Sequence, residues 1–249
     1  MRIMDTLYYY KKLLESKGYK VIYIGLYGSQ NYNVSDERSD IDVKAIVLPT
    51  LADIVHRKAT SKIIETEYGS IDCKDIITFN DVIKKGNFSY IEAIQSVYSI
   101  GDIDIVNKLF GDIQVNLKSI IGGMQEKRKA LTHEYPSKVA EFEQFGCDPK
   151  QFHHIWRLCE LLTYILDNGK NVAFLRYDNE SRELMIKLKR QMVFSLDMTK
   201  GLADQFIENA KNKLNEAFPQ GYKYEPIDNT EALDNYIEEE IRKQLIKKD

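Results

Sequence analysis

Long apolar runs are missing from this 249-residue chain. None approaches the ~20 residues that a bilayer-spanning helix needs, so the sequence predicts no membrane span. The first 19 residues contain no signal-peptide core and read instead as an amphipathic helix packed on the first strand. Cysteine is scarce as well. Cys73, Cys147 and Cys159 are too few and too scattered for a disulfide framework or a zinc cluster, which points to buried thiols in a reducing, cytoplasmic setting. Charge of one sign is not in excess: 35 Lys and Arg face 38 Asp and Glu, for a net charge of −3. That balance argues against a surface coated in nucleic acid, while leaving room for a local basic groove. Internal repeats and low-complexity tracts are absent, and the sixteen tyrosines are spread along the chain without forming a recognisable base-stacking platform.

What is present is concentrated near residue 30. Residues 19–27 (YKVIYIGLY) are apolar, β-branched and aromatic, the pattern of a buried strand, and they stop at Gly28-Ser29. A glycine lets backbone approach a ligand closely, and the amides of such a turn, beside a serine hydroxyl, suit phosphate oxygens. Residues 40–48 (DIDVKAIVL) predict a second strand, in which alternation puts Asp40, Asp42 and Lys44 on one face. Two carboxylates about 7 Å apart on one strand face repel each other and add nothing to packing. They can, however, clasp divalent cations, Mg²⁺ or Mn²⁺, which stabilise the attacking and leaving oxygens of phosphoryl transfer.

A third carboxylate usually completes such a site. Residues 62–67 and 70–77 predict a hairpin turning at Tyr68-Gly69, with Asp72 and Lys74 on one face and Cys73 on the other. Asp72 is the first candidate for the third ligand. Asp75 is the rival, although it stands just before a helical period at Ile76, Phe79 and Ile83, where an aspartate is most often an N-cap. Glu65 and Glu67 trail behind both.

Gly28-Ser29, a spacer of ten and then Asp40-Ile41-Asp42 resembles the signature of the DNA polymerase beta-like nucleotidyltransferase superfamily. More narrowly, Gly28-Ser29-Gln30-Asn31-Tyr32, Ser39 to Lys44, Asn87 with Glu92, and His153-His154-Ile155-Trp156-Arg157-Leu158 resemble the YcgL-type nucleotidyltransferases. One departure is Lys44-Ala45, where Arg-Gly is common; a lysine meets phosphate as a point charge and lacks the bidentate fork. The resemblance implies that Glu92 lies near the nucleotide or braces the catalytic strands. It also implies an α+β fold, a nucleotidyltransferase core with a mixed twisted sheet, followed by a C-terminal helical domain.

The texture changes near residue 110, from mixed strands and helices to almost continuous helical periodicity, so the expected division is 1–112 and 113–249. Pro219 and Gly221 separate the last core helix from a peripheral helix over 230–247. In residues 151–166, His153, Arg157, Glu160 and Tyr164 form one polar stripe on an otherwise apolar helix. That stripe is either a solvated face or the lining of a cleft in which His153 and Arg157 touch nucleotide phosphates; the family motif favours the cleft. Arg176, Arg182, Lys187, Lys189 and Arg190 likewise read as a solvated face or as a carrier for a substrate backbone.

The expected activity is metal-dependent transfer of a nucleoside monophosphate from a nucleoside triphosphate to a hydroxyl, releasing pyrophosphate. Gly28 and Ser29 would grip the triphosphate, with Lys44, His153 and Arg157 binding nucleotide and Asp40, Asp42 and Asp72 holding metal. The resemblance points to an RNA 3′ end as acceptor. The alternatives are a nucleotidyltransferase that modifies a protein or small molecule, and a nucleotide-binding antitoxin or regulatory module without catalysis.

Overall fold

The computed structural model describes residues 2–169 and 172–246. Two compact units emerge: Met1–Asn31, Ser39–Gln114 and Glu225–Asp249 form the first, and Tyr32–Arg38 with Val115–Tyr224 form the second. No helix among the described residues is long and apolar enough to cross a membrane.

In the first unit the chain runs α1 (Ile3–Ser16), β1 (Lys20–Tyr27), β2 (Asp42–Leu48), α2 (Leu51–Val55), β3 (Ser61–Thr66), β4 (Gly69–Asp75), α3 (Ile76–Ile83), α4 (Phe88–Gln95), β5 (Ser99–Gly101) and α5 (Ile103–Phe110). The five strands form one mixed sheet in the order β3-β4-β2-β1-β5, parallel only between β2 and β4. The fold is therefore α+β, as the sequence predicts.

Helical spacing places Leu7, Tyr10 and Leu14 on one stripe of α1. All three are buried against Ile24, Leu26, Val43, Ala45, Val47, Ile71 and Cys73, which alternate onto one face of the sheet. Burial of each aliphatic side chain contributes about 1.5–3 kcal/mol. The other face is covered by α3 and α4, whose Phe79 and Tyr90 rings meet edge to face at 5.5 Å. Gly25 makes that closure possible: a Cβ there would stand 2.1 Å from the Ala93 carbonyl oxygen of α4.

β2 begins at Asp42 rather than at Asp40. Its antiparallel partner β1 ends at Tyr27, which pairs with Asp42, so no ladder remains for Asp40. Ile41 donates instead to the Tyr68 carbonyl at 2.7 Å.

The second unit contains α6 (Leu117–Leu131), α7 (Val139–Phe145), α8 (Pro149–Asn168), α9 (Asn179–Arg190) and α10 (Leu196–Ala217). Helix α8 is central, packing on α6, α9 and α10 through Phe152, Ile155, Leu158, Leu161 and Leu162. Its N-terminus is set by Asp148, which accepts from the Lys150 amide, and by Pro149 in the first helical position.

Residues 32–38 belong to this unit and are tied to it by named contacts. Asp36 receives both arms of the Arg190 guanidinium at 2.7 and 2.6 Å, Arg182 donates to the Ser35 carbonyl at 2.8 Å, and Lys189 to the Val34 carbonyl at 3.3 Å. Tyr177 N–H donates to the Tyr32 carbonyl at 2.9 Å. Three of the basic residues read from the sequence as solvated or substrate-carrying thus hold a loop of their own unit.

Helix α11 (Thr230–Ile246) returns to the first unit. It buries Leu233 and Ile241, Lys20 pairs with Glu240, and just before it Asn229 donates to the Leu109 carbonyl at 2.8 Å. The linear division at 112 differs from these units at both 32–38 and 225–249, because side-chain anchors rather than chain order decide membership. Residue 247, expected to extend the last helix, lies outside the described residues.

Candidate functional site

The turn after β1 is built on a buried carboxylate. Gly28 has φ +97°, a left-handed conformation that favours glycine, and its N–H donates to Glu92 Oε1 at 2.5 Å. Asn31 Nδ2 donates to the same oxygen at 3.0 Å and to the Leu26 carbonyl at 3.0 Å, while Ser96 Oγ donates to Asn31 Oδ1 at 2.8 Å. Glu92 and Asn31 are both almost fully buried. Glu92 therefore braces the end of β1 from α4 and occupies the Gly28 amide. Ser29 is half-buried beside it.

The next layer follows from strand register. Tyr27 lies opposite Asp42, and Lys44 lies beside Asp72, so Asp42, Lys44 and Asp72 share one sheet face. Asp42 Oδ1 accepts from the Ser70 amide at 2.9 Å and from its hydroxyl at 2.8 Å. Asp40 stands two residues earlier, exposed, on the segment held by the Ile41 amide and by Tyr10, whose hydroxyl donates to the Ile41 carbonyl at 3.0 Å.

Lys44 and Asp72 are locked together. Lys44 Nζ lies 3.0 Å from Asp72 Oδ2, Lys74 Nζ lies 3.1 Å from Oδ1, and the Tyr90 hydroxyl donates to Oδ2 at 2.7 Å. The Lys44 ammonium also sits 4.3 Å from the centre of the Tyr27 ring and 3.8 Å from that of Tyr90. Burial lowers the Lys44 pKa, with the attraction of Asp72 opposing it. Burial works to raise the Asp72 carboxyl, but the Lys44 charge and the hydrogen bonds from Tyr90, Lys44 and Lys74 together hold it below its ordinary value. Burial first, then the neighbouring carboxylates, pushes the Tyr27 and Tyr90 hydroxyls well above theirs.

The remaining acidic candidates lie elsewhere. Asp75 points to the opposite sheet face and caps α3, accepting from Thr78 N at 2.8 Å and from Thr60 N at 2.6 Å. Glu65 and Glu67 are exposed on and just beyond the edge strand. Among the described residues no three His, Cys, Asp or Glu side chains converge as a metal site. The fit to a cation is thus partial: Asp40 and Asp42 offer carboxylate oxygen, whereas Asp72 is already neutralised by two ammoniums. Sequence reasoning passed over Tyr27, Ser70 and Tyr90; the alternation Ser70-Asp72-Lys74 is the signal that marks β4 as part of this face.

In the second unit, His153 and Arg157 are 1% and 3% exposed, so the solvated-face alternative for their stripe does not hold. Glu160 accepts from Trp156 Nε1 at 2.8 Å and from the Tyr177 hydroxyl. The Arg157 guanidinium lies 4.0 Å from the centre of the Tyr32 ring. Its Nε and Nη1, and both His153 ring nitrogens, are buried without a hydrogen-bond partner among the described residues. A desolvated cation–π contact is worth about 2 kcal/mol. Burying one ion costs several kcal/mol, so the ring leaves most of that penalty uncompensated. Burial, reinforced by the charges of Arg157, Lys189, Lys150 and Arg190, drives the His153 pKa well below its ordinary value, which keeps the imidazole neutral near pH 7.

No family model matches this chain, and no curated protein matches it. Among solved structures, a nucleotidyltransferase-like protein from Exiguobacterium sibiricum is similar to it with a TM-score of 0.30 and 11% sequence identity, over 87% of this chain and 77% of that one.

Proposed function

We propose that this chain is a nucleotidyltransferase that moves a nucleoside monophosphate from a nucleoside triphosphate to an acceptor hydroxyl and releases pyrophosphate. One observation carries the reading: a glycine-serine turn at the end of β1 is followed by Asp40 and Asp42, and Asp42 opens the neighbouring strand directly opposite Tyr27. Asp40 and Asp42 would hold a divalent cation, Mg²⁺ or Mn²⁺, which would neutralise phosphate charge and make the acceptor hydroxyl easier to deprotonate.

The chain's own groups have separable roles in this reading. Glu92 takes the Gly28 amide, so the turn offers phosphate the amide and hydroxyl of Ser29. Ser70 fixes Asp42 through Oδ1 and leaves Oδ2 to face a ligand. Asp72 would join Asp40 and Asp42 as a ligand, or draw a proton from the acceptor, by giving up Lys44 or Lys74. A lysine released from Asp72 would meet the triphosphate, the role assigned to Lys44. Arg157 and His153 would contact phosphate through their unpartnered nitrogens. The acceptor proposed first is an RNA 3′ end; a protein side chain or small molecule is the alternative.

A second reading, a nucleotide-binding antitoxin or regulatory module without catalysis, is favoured by the same ion pairs, since they leave two carboxylates rather than three ready for a cation. Incubating the purified chain with each labelled nucleoside triphosphate, Mg²⁺ and total RNA, and then locating the label, separates these cases. Label on RNA supports the first acceptor, and label on protein supports the second. If no label transfers although nucleotide binds, transfer to RNA or to protein is refuted, which leaves the regulatory reading and a small-molecule acceptor. The Asp40→Asn/Asp42→Asn double variant is expected to fold normally and to incorporate nothing; full activity in it would remove these residues from the site.

A further inference from the structure

We infer that the second unit holds a phosphate-binding site of its own, complete without metal or the carboxylates of the first unit, in which Arg157 and His153 contact the phosphate group. The inference deepens the role given to these two residues above and rests on that reading for its choice of phosphate among oxyanions. Its physical basis is separate.

An arginine keeps its proton under all ordinary conditions, so burial leaves it charged. Buried charges are paired in folded proteins, yet among the described residues no carboxylate lies within ion-pair distance of Arg157. What it has is the face of Tyr32, which leaves the in-plane donors Nε and Nη1 unused. Each of the two is a charged donor free to bond an anionic oxygen. His153, one turn earlier on α8, is equally buried and has both ring nitrogens unused; a neutral imidazole can supply one N–H to the same anion.

The surroundings have the matching sign. Lys189 is buried, fixed by the Val34 carbonyl, and with Lys150 bears electrostatically on His153. Lys127 is close enough to Arg157 for the two cations to repel. The nearby acids have other work: Asp148 caps α8 and accepts from Gln151 Nε2 at 2.8 Å, Asp36 is paired with Arg190, and Glu160 is bonded by Trp156 and Tyr177. A phosphate between Arg157 and His153 would give an acceptor to orphaned donors of both side chains and compensate the excess positive charge in one step.

The test is calorimetric titration of the full chain in chloride buffer with EDTA, at constant ionic strength, together with thermal unfolding. Inorganic phosphate, ATP, and an oligonucleotide with and without its 5′ phosphate are the probes. Saturable binding of inorganic phosphate is expected, with a rise in Tm, in both the parent and the Asp40→Asn/Asp42→Asn variant. Arg157→Lys should weaken binding about tenfold through loss of the fixed planar guanidinium donors, and Arg157→Met should abolish it. His153→Gln gives a second, milder variant should Arg157→Met fail to fold, and it should weaken binding too. Tighter binding of ATP than of inorganic phosphate identifies a nucleotide as the source, and tighter binding of the phosphorylated oligonucleotide identifies a strand end. Absence of saturable phosphate binding, or binding unchanged in the Arg157 and His153 variants, overturns the inference. Failure of label transfer with phosphate binding intact would instead count against the transferase reading alone.

Discussion

Replacing Asp72 with asparagine removes the anion that two lysines share while preserving the acceptor for the Tyr90 hydroxyl, so the substitution isolates charge from shape. Lys44 and Asp72 side chains are 6% and 14% exposed, and their charged atoms are 3.0 Å apart. At an effective dielectric of 20 that separation corresponds to about 5 kcal/mol of gross attraction. Breaking a buried pair by removing one partner typically costs about 3–5 kcal/mol. Lys74, whose ammonium also bonds Ser61 Oγ at 2.8 Å, keeps that partner. Lys44 has no such outlet, and its escape is to lose its proton. That escape sets a ceiling. From an unfolded pKa of about 10.4, deprotonation at pH 7 costs about 4.6 kcal/mol, and at pH 9 about 1.9 kcal/mol.

The expected loss for Asp72→Asn is therefore about 3–4 kcal/mol at pH 7, shrinking to about 1–2 kcal/mol at pH 9. The sign follows from proton counting: in the variant the unfolded chain binds the Lys44 proton more tightly than the folded one, so stability rises with pH. Adding Lys44→Met to Asp72→Asn should restore most of the loss, because a neutral apolar chain fits between the Tyr27 and Tyr90 rings. Urea unfolding followed by far-UV circular dichroism at the two pH values measures this. Fluorescence of Trp156, the one tryptophan of the chain and a residue of the second unit, provides an internal control. A variant within about 0.5 kcal/mol of the parent at pH 7, below the usual effect of a single substitution, or an equal loss at both pH values, would refute the reasoning.

Protonating His153 is disfavoured in the folded state, so its contribution to stability is full above about pH 6.5 and falls as pH drops toward the folded pKa. In phosphate-free buffer His153→Gln should flatten the acid limb of a stability-against-pH curve by up to about 1.4 kcal/mol per pH unit, and an unchanged limb would argue against a buried neutral imidazole. Gly25→Ala drives a Cβ into the Ala93 carbonyl and should cost about 3 kcal/mol or more in chemical denaturation; a neutral result would mean that α4 does not close on β1 as described. Asp75→Ala removes the α3 cap and strands the Thr60 amide, for an expected loss of about 2–3 kcal/mol, read as a drop in Tm. Metal-dependent activity should be no more affected by Asp75→Ala than overall stability explains, in contrast to Asp42→Asn.

Local pattern carried much of the fold. The apolar run before Gly28, the hairpin at Tyr68-Gly69, the cap at Asp75 and the central helix around His153 all depend on neighbours within a few residues, and each lies within about two residues of its expected bounds. Strand ends were less legible. Whether Asp40 belongs to β2 depends on where β1 stops, which is a property of the partner and not of residues 40–48. The parallel pairing of β2 with β4 brings Lys44 to Asp72 across 28 residues, and Glu92 reaches Gly28 across 64. No periodicity encodes such contacts. The basic residues of α9 illustrate a different limit. Charge on a helix face is compatible with solvent, ligand or another part of the chain, and only the fold brings Arg182 and Arg190 to residues 35 and 36.

Membership of the two units alternates along the chain, with changes after residues 31, 38, 114 and 224. During synthesis the first unit is therefore still missing α11 when every residue of the second has already been made. A ribosome-bound chain stopped at residue 224 would leave uncovered the surface that receives Leu233 and Ile241. Premature termination or proteolytic loss of the last two dozen residues should consequently injure the strand-bearing unit, the one most distant from the cut in sequence, before the helical unit that ends beside it.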